Sequence, residues 1–214
     1  MVLFKQEKYL GNKGFTLIEL IIAIGMFAII AFIIADAYTD QQGTQTSQIQ
    51  TVEMQQNIRA AMMLLSRELR MAGYDPDMIN TAGLVNIGDG SAGNPLSFTY
   101  FDENISADGL DNDNDGVIDD PDEMQLIQYG LYDAYGDGDL DIGRSSGAGN
   151  FQVIAENIQA LQFVYLDAGG NATVIPNNIR AVRVTITATP DISERNLASD
   201  NRTITSVIKF RNIF

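Results

Sequence analysis

Gly14-Phe15-Thr16-Leu17-Ile18-Glu19-Leu20 opens an apolar run that continues to Ala35, and the layout of the chain follows from it. Residues 15–35 number 21, and Glu19 is the only charge among them. At about 1.5 Å of rise per residue this is roughly 30 Å of helix, one bilayer core. A carboxylate near the start of such a segment is costly in lipid, so Glu19 reads as a functional residue. Upstream lie Lys5, Lys8 and Lys13, and that stretch ends in Gly14. A secretory signal peptide is cut after its apolar region, at a small-x-small site. Here the small residue precedes the apolar run, so a cut after Gly14 leaves the helix on the mature protein.

Beyond Ala35 the chain turns polar, and Gly43 is a weak point in a helix interior. A helical period then becomes strong: Met54, Ile58, Ala61, Met62, Leu65, Leu69 and Ala72 share one face, with Glu53, Gln56, Arg59, Arg67 and Arg70 opposite. Gly73 is a natural stop and Pro76 prevents a restart. Residues 15–72 therefore read as one long helix. Its methionines fall at helical spacing and read as core filler. Strands are expected at 96–101, 124–132, 161–166, 180–188 and 203–210. Residues 74–94 and 133–150 read as loops, and 151–160 as a short turn of helix. Tandem strands imply an antiparallel sheet whose apolar face needs cover, and the amphipathic half of the helix is the available lid. The expected fold is α+β, a long N-terminal helix packed on a C-terminal antiparallel head. Its expected parts are a leader (1–14), a membrane-spanning helix (15–35), an amphipathic continuation (36–73) and a β-rich head (74–214).

The run Lys13-Gly14-Phe15-Thr16-Leu17-Ile18-Glu19 resembles the class III signal of type IV prepilins and type II secretion pseudopilins. The resemblance implies a pilin-like fold, cleavage between Gly14 and Phe15 by a prepilin peptidase, and N-methylation of Phe15. It also implies that Glu19, fifth in the mature chain, neutralises the amino terminus of a neighbouring subunit during assembly. Residues 65–74, residues 156–165 and the terminal Arg211-Asn212 are similar to larger minor pilins of the PilW kind and to the J-type minor pseudopilin. The partners implied are other minor and major pilins or pseudopilins, the peptidase and the inner membrane. Leader lysines before the span, with Asp36 and Asp40 after it, place the leader in the cytoplasm and the head in the periplasm. A periplasmic or cell-surface filament is the implied destination.

Composition narrows the function. The net charge is −15, and loss of Lys5, Lys8, Lys13 and Glu7 with the leader takes it to −17. Phosphate binding wants Lys and Arg, so nucleic acid is not an expected partner. The chain has no Cys and no His, which excludes disulfides and thiol chemistry and removes the commonest general base and zinc ligand. An enzyme is not expected. Paired carboxylates serve glycoside hydrolases, but no cleft of aromatics accompanies these and there is no Trp.

Half of the acidic residues fall between Asp102 and Asp141. Asp111, Asp113 and Asp115 alternate, with Gly116 next, and this resembles the first half of an EF-hand loop. There alternate carboxylates converge on one Ca²⁺ and the glycine permits the turn. Val117 offers a backbone carbonyl and Asp119 the ninth position. At the twelfth position Asp122 stands in place of Glu, with Glu123 one place late. Pro121 and the flanking strands argue against an EF-hand helix, so the run is closer to thrombospondin type 3 or bacterial Asp-rich loops. Asp137, Asp139 and Asp141 repeat the alternation, with glycine displaced to Gly143. The expectation is a Ca²⁺-stabilised minor subunit that joins and primes a type IV pilus or secretion pseudopilus near its tip. The alternative is a calcium-dependent adhesin or ligand-binding head displayed on a pilus.

Overall fold

A computed structural model describes residues 14–76, 82–105, 109–113, 115–119, 123–147, 149–189 and 201–213. The expected leader, but for Gly14, and Asp122 lie outside these residues. The chain divides into two compact units, Met1–Thr46 and Ser47–Phe214. One helix, α1 (Leu17–Leu69), contributes to both.

In the first unit every described side chain before Gly43 is exposed, including Phe15, Phe27 and Phe32. A helix apolar on all sides is stable only in lipid or among other helices. This part of α1 is long and apolar enough to cross a membrane. Gly43 does not interrupt it. The polar stretch stays helical while its threonines bond back one turn: Thr39 Oγ1 donates to Ala35 O at 2.9 Å and Thr44 Oγ1 to Asp40 O at 3.0 Å.

In the second unit α1 buries Met54, Ile58, Ala61, Met62, Leu65 and Leu69, the face expected from the period. Burial of a side chain such as Leu65 stabilises by about 1.5–3 kcal/mol. The helix ends at Leu69, three residues before the expected Ala72. A turn leads to Gly73, which has φ +76, a conformation that costs glycine little, and whose N–H donates to Thr99 O at 2.9 Å.

The strands form two antiparallel sheets where one was expected. The first runs in chain order: β1 (Leu84–Asn86), β2 (Leu96–Tyr100), β3 (Gln125–Tyr132), β4 (Asp141–Ser146) and β5 (Gln152–Ala155). The second holds β6 (Ile158–Leu166), β7 (Ala181–Ala188) and β8 (Arg202–Lys209). Both contribute to one core: Phe98, Ile127, Tyr129 and Ile142 from the first, Val182, Val184, Ile186 and Ile208 from the second.

Three expectations fail here, the first being that residues 74–94 are all loop, since β1 lies within them. Residues 133–150 are not all loop, because β4 lies between β3 and β5. Its polar, glycine-bearing sequence fits because Gly143 leaves room: a Cβ there would lie 2.4 Å from Tyr132 Cε1 and 2.8 Å from Phe151 Cδ1. Nor is 151–160 a turn of helix, for it is β5 and the start of β6. Between them Asn157 adopts φ +58, a left-handed conformation that asparagine tolerates better than most residues. The chain breaks there and starts the second sheet, with Ile158 N–H donating to Leu140 O at 2.6 Å.

Candidate functional site

Two places carry the expected chemistry, and the first is the start of α1. Thr16 and Glu19 form a reciprocal cap. Thr16 N–H and Thr16 Oγ1 both donate to Glu19 Oε2 at 2.9 Å, and Glu19 N–H donates to Thr16 Oγ1 at 3.3 Å. Glu19 therefore has a partner within its own chain. The Thr-x-x-Glu spacing ahead of an apolar run was the available sequence signal for this cap. Gly14 and Phe15 precede the helix, and both are exposed.

The second place is the Asp-rich loop before β3. Asp111, Asp113 and Asp115 each offer a carboxylate oxygen, and these oxygens lie within 4.8 Å of one another. Backbone N–H groups shape the turn around them. Asp111 accepts from Asp115 N at 3.1 Å and from Gly116 N at 3.0 Å. Asp113 Oδ1 accepts from Asp115 N at 3.1 Å, and Asp115 Oδ1 from Val117 N at 2.8 Å. Asp119, at φ +54, accepts from Gly109 N at 2.9 Å and so closes the turn from the far side. Burial pushes the Asp113 carboxyl above its ordinary value, and the charges of Asp115, Glu123 and Asp111 add to this against the bond from Asp115 N. Three oxygens in this arrangement suit a hard cation such as Ca²⁺, which takes carboxylates and backbone carbonyls.

Glu123 has a different part. It is buried, and its Oε1 accepts from the N–H of Asn112 and, at 3.3 Å, of Asp113. Leu126 N donates to Asn112 O at 3.0 Å, which ties the loop to the start of β3. The glutamate one place past the twelfth loop position thus anchors the loop's backbone.

Asp137, Asp139 and Asp141 do not form such a group of three among the described residues. Asp141 is the first residue of β4, 2% exposed, and its Oδ2 accepts from Ala134 N at 3.1 Å. Asp137 Oδ1 accepts from Asp139 N at 3.0 Å. The second alternation folds as a hairpin connection, with Asp141 turned back to the chain before it.

A further cluster escaped sequence reasoning. Glu68, near the end of α1, accepts from Arg144 Nε on β4 at 3.1 and 3.0 Å and from the Tyr129 hydroxyl on β3. It clamps the helix to the first sheet. No local spacing announces it, since its members lie 61 and 76 residues from Glu68.

Compared with known protein families, residues 10–35 match the prokaryotic N-terminal methylation motif. Comparison of the whole chain with curated proteins gives no match. The chain thus carries the class III signal of type IV pilins on a long apolar helix followed by antiparallel sheets, a pilin-like architecture.

Proposed function

We propose that this chain is a minor pilin or minor pseudopilin, cleaved between Gly14 and Phe15 by a prepilin peptidase and methylated on Phe15. It is held in the inner membrane with its head in the periplasm, and it joins a type IV pilus or a type II secretion pseudopilus. As a large subunit it sits near the tip and primes assembly. Its role is structural, and its Asp-rich loop holds Ca²⁺ through Asp111, Asp113, Asp115, the Val117 carbonyl, Asp119 and Asp122. The observation that supports the reading is the methylation motif at 10–35 at the head of an apolar helix; cleavage after Gly14 would make Glu19 fifth in the mature chain.

Glu19 has two jobs in this reading, capping α1 and meeting the amine of a neighbouring subunit, and two substitutions separate them. Glu19→Gln keeps a side chain able to complete the cap but removes the charge. Glu19→Ala removes both. Both variants are expected to be cleaved after Gly14, as mass spectrometry of the mature N-terminus will show. Both are expected to be recovered at least tenfold less with partner subunits in a pull-down. Incorporation of Glu19→Gln at the wild-type level would leave Glu19 a helix cap only.

A further inference from the structure

The strand edges of this molecule are treated unequally. In the first sheet the edge strands are short, three residues in β1 and four in β5. In the second sheet the β6 edge is covered by the chain itself: Phe163 N donates to Asp89 O, and Thr173 N to Tyr165 O, each at 3.0 Å. The other edge, β8, is eight residues long. Phe210 N donates to Arg180 O at 3.0 Å, which fixes the phase of the ladder with β7. Bonded and non-bonded pairs alternate in an antiparallel ladder. Thr203, Thr205, Val207 and Lys209 therefore turn their N–H and C=O groups away from β7. Among the described residues no backbone group meets them.

Natural edges are usually blunted by short length, proline, bulges, inward charges or charged side chains, lysine above all. Here the one lysine stands only at the end of the strand. Arg-Thr-Ile-Thr-Ser-Val-Ile-Lys, residues 202–209, has no proline and no acid. Its outward side chains at Thr203, Thr205, Val207 and Lys209 are exposed. Among the described residues the charge of this sheet is mostly positive. Among the described residues, 158–213 carry Arg180, Arg183, Arg202, Lys209 and Arg211 against Asp167 alone, whereas 82–157 carry Arg144 alone against a long series of acids. Arg183 stands directly across from Val207 on the outer face.

We propose that β8 takes up an extended, acid-rich segment of another protein as the fourth strand of the second sheet. Outward backbone groups supply the hydrogen bonds, and Arg183 and Lys209 select for acidic side chains. A second copy of β8 is a poor occupant, because antiparallel self-pairing brings the Arg202 end of each strand beside the Lys209 end of the other. The inference does not depend on entry into a filament.

The test uses the full chain in detergent and a fluorescent eight-residue peptide that alternates valine with glutamate. The peptide is expected to bind, more weakly as salt rises, and to slow amide exchange at Thr203, Thr205, Val207 and Lys209 by tenfold or more. Val207→Pro removes an outward N–H and leaves the β7 ladder intact. It is expected to lower affinity at least tenfold with unchanged circular dichroism. Lys209→Glu should weaken the glutamate peptide several-fold and favour its lysine counterpart. Four outcomes would overturn the proposal: no binding, equal binding of a proline-interrupted acidic peptide, the four amides already protected without peptide, or protection that grows with protein concentration and reveals a second copy at the edge.

Discussion

Glu68 shows how one residue ties distant segments together. Its side chain is 14% exposed and that of Arg144 23%, so the pair is largely withdrawn from water. Glu68→Ala leaves a guanidinium and the Tyr129 hydroxyl without their acceptor. Loss of one partner from such a cluster is expected to cost about 2–3 kcal/mol. Urea unfolding will measure it, and a loss below about 0.5 kcal/mol would show that solvent replaces the carboxylate. Asp141 makes an opposite case. Burial raises its carboxyl above the ordinary 3.8 in the folded chain. Between that value and the raised one the folded state holds more protons than the unfolded state, so stability falls as pH rises through this window. Asp141→Asn keeps an acceptor for Ala134 N and has no charge to bury. In EDTA, its Tm is expected to exceed wild type at neutral pH and to lack the fall on leaving pH 4. A wild-type pH profile in the variant would count against buried charge as the cause.

Among the elements, α1 was legible in the sequence because its signals are local: the apolar run, the 3-and-4 spacing from Met54 to Leu69, and Gly73 in the turn that follows it. Strand β4 was not. Asp-Ile-Gly-Arg-Ser-Ser has no alternation of large apolar residues, and it is a strand because β3 and β5 flank it and supply hydrogen bonds on both sides. Its glycine answers to neighbours far along the chain. Gly143→Ala would press a methyl group into the Tyr132 and Phe151 rings, whose centroids are 5.6 Å apart. Overpacking of this kind costs about 1–3 kcal/mol. A lowered midpoint in thermal unfolding is expected, rescued by the double variant with Phe151→Leu. An unchanged midpoint in Gly143→Ala would mean that the rings yield freely.

At the scale of the molecule, Ca²⁺ binding is predicted to be a folding term. A ligand bound only by the native state adds RT ln(1 + [L]/Kd), about 2.7 kcal/mol at a hundredfold excess over Kd. Millimolar Ca²⁺ is expected to raise the Tm of the full chain above its value in EDTA, and Asp113→Ala with Asp115→Ala to abolish the difference. Equal melting in both conditions, with no heat of binding in calorimetry, would reduce the loop to a solvated acidic turn. The sequence by itself determined the methylation signal, the membrane-length helix, its buried face and the alternating aspartates, all written within a few residues of one another. The tertiary structure alone decided that the strands divide into two sheets at Asn157 and that Asp141 is held by the chain before it. It also decided that Glu123 anchors the Asp-rich loop and that Glu68 clamps helix to sheet. The physical reason is range: a period or a turn is encoded by neighbours in sequence, whereas pairing partners and burial depend on segments that meet only when the chain has folded.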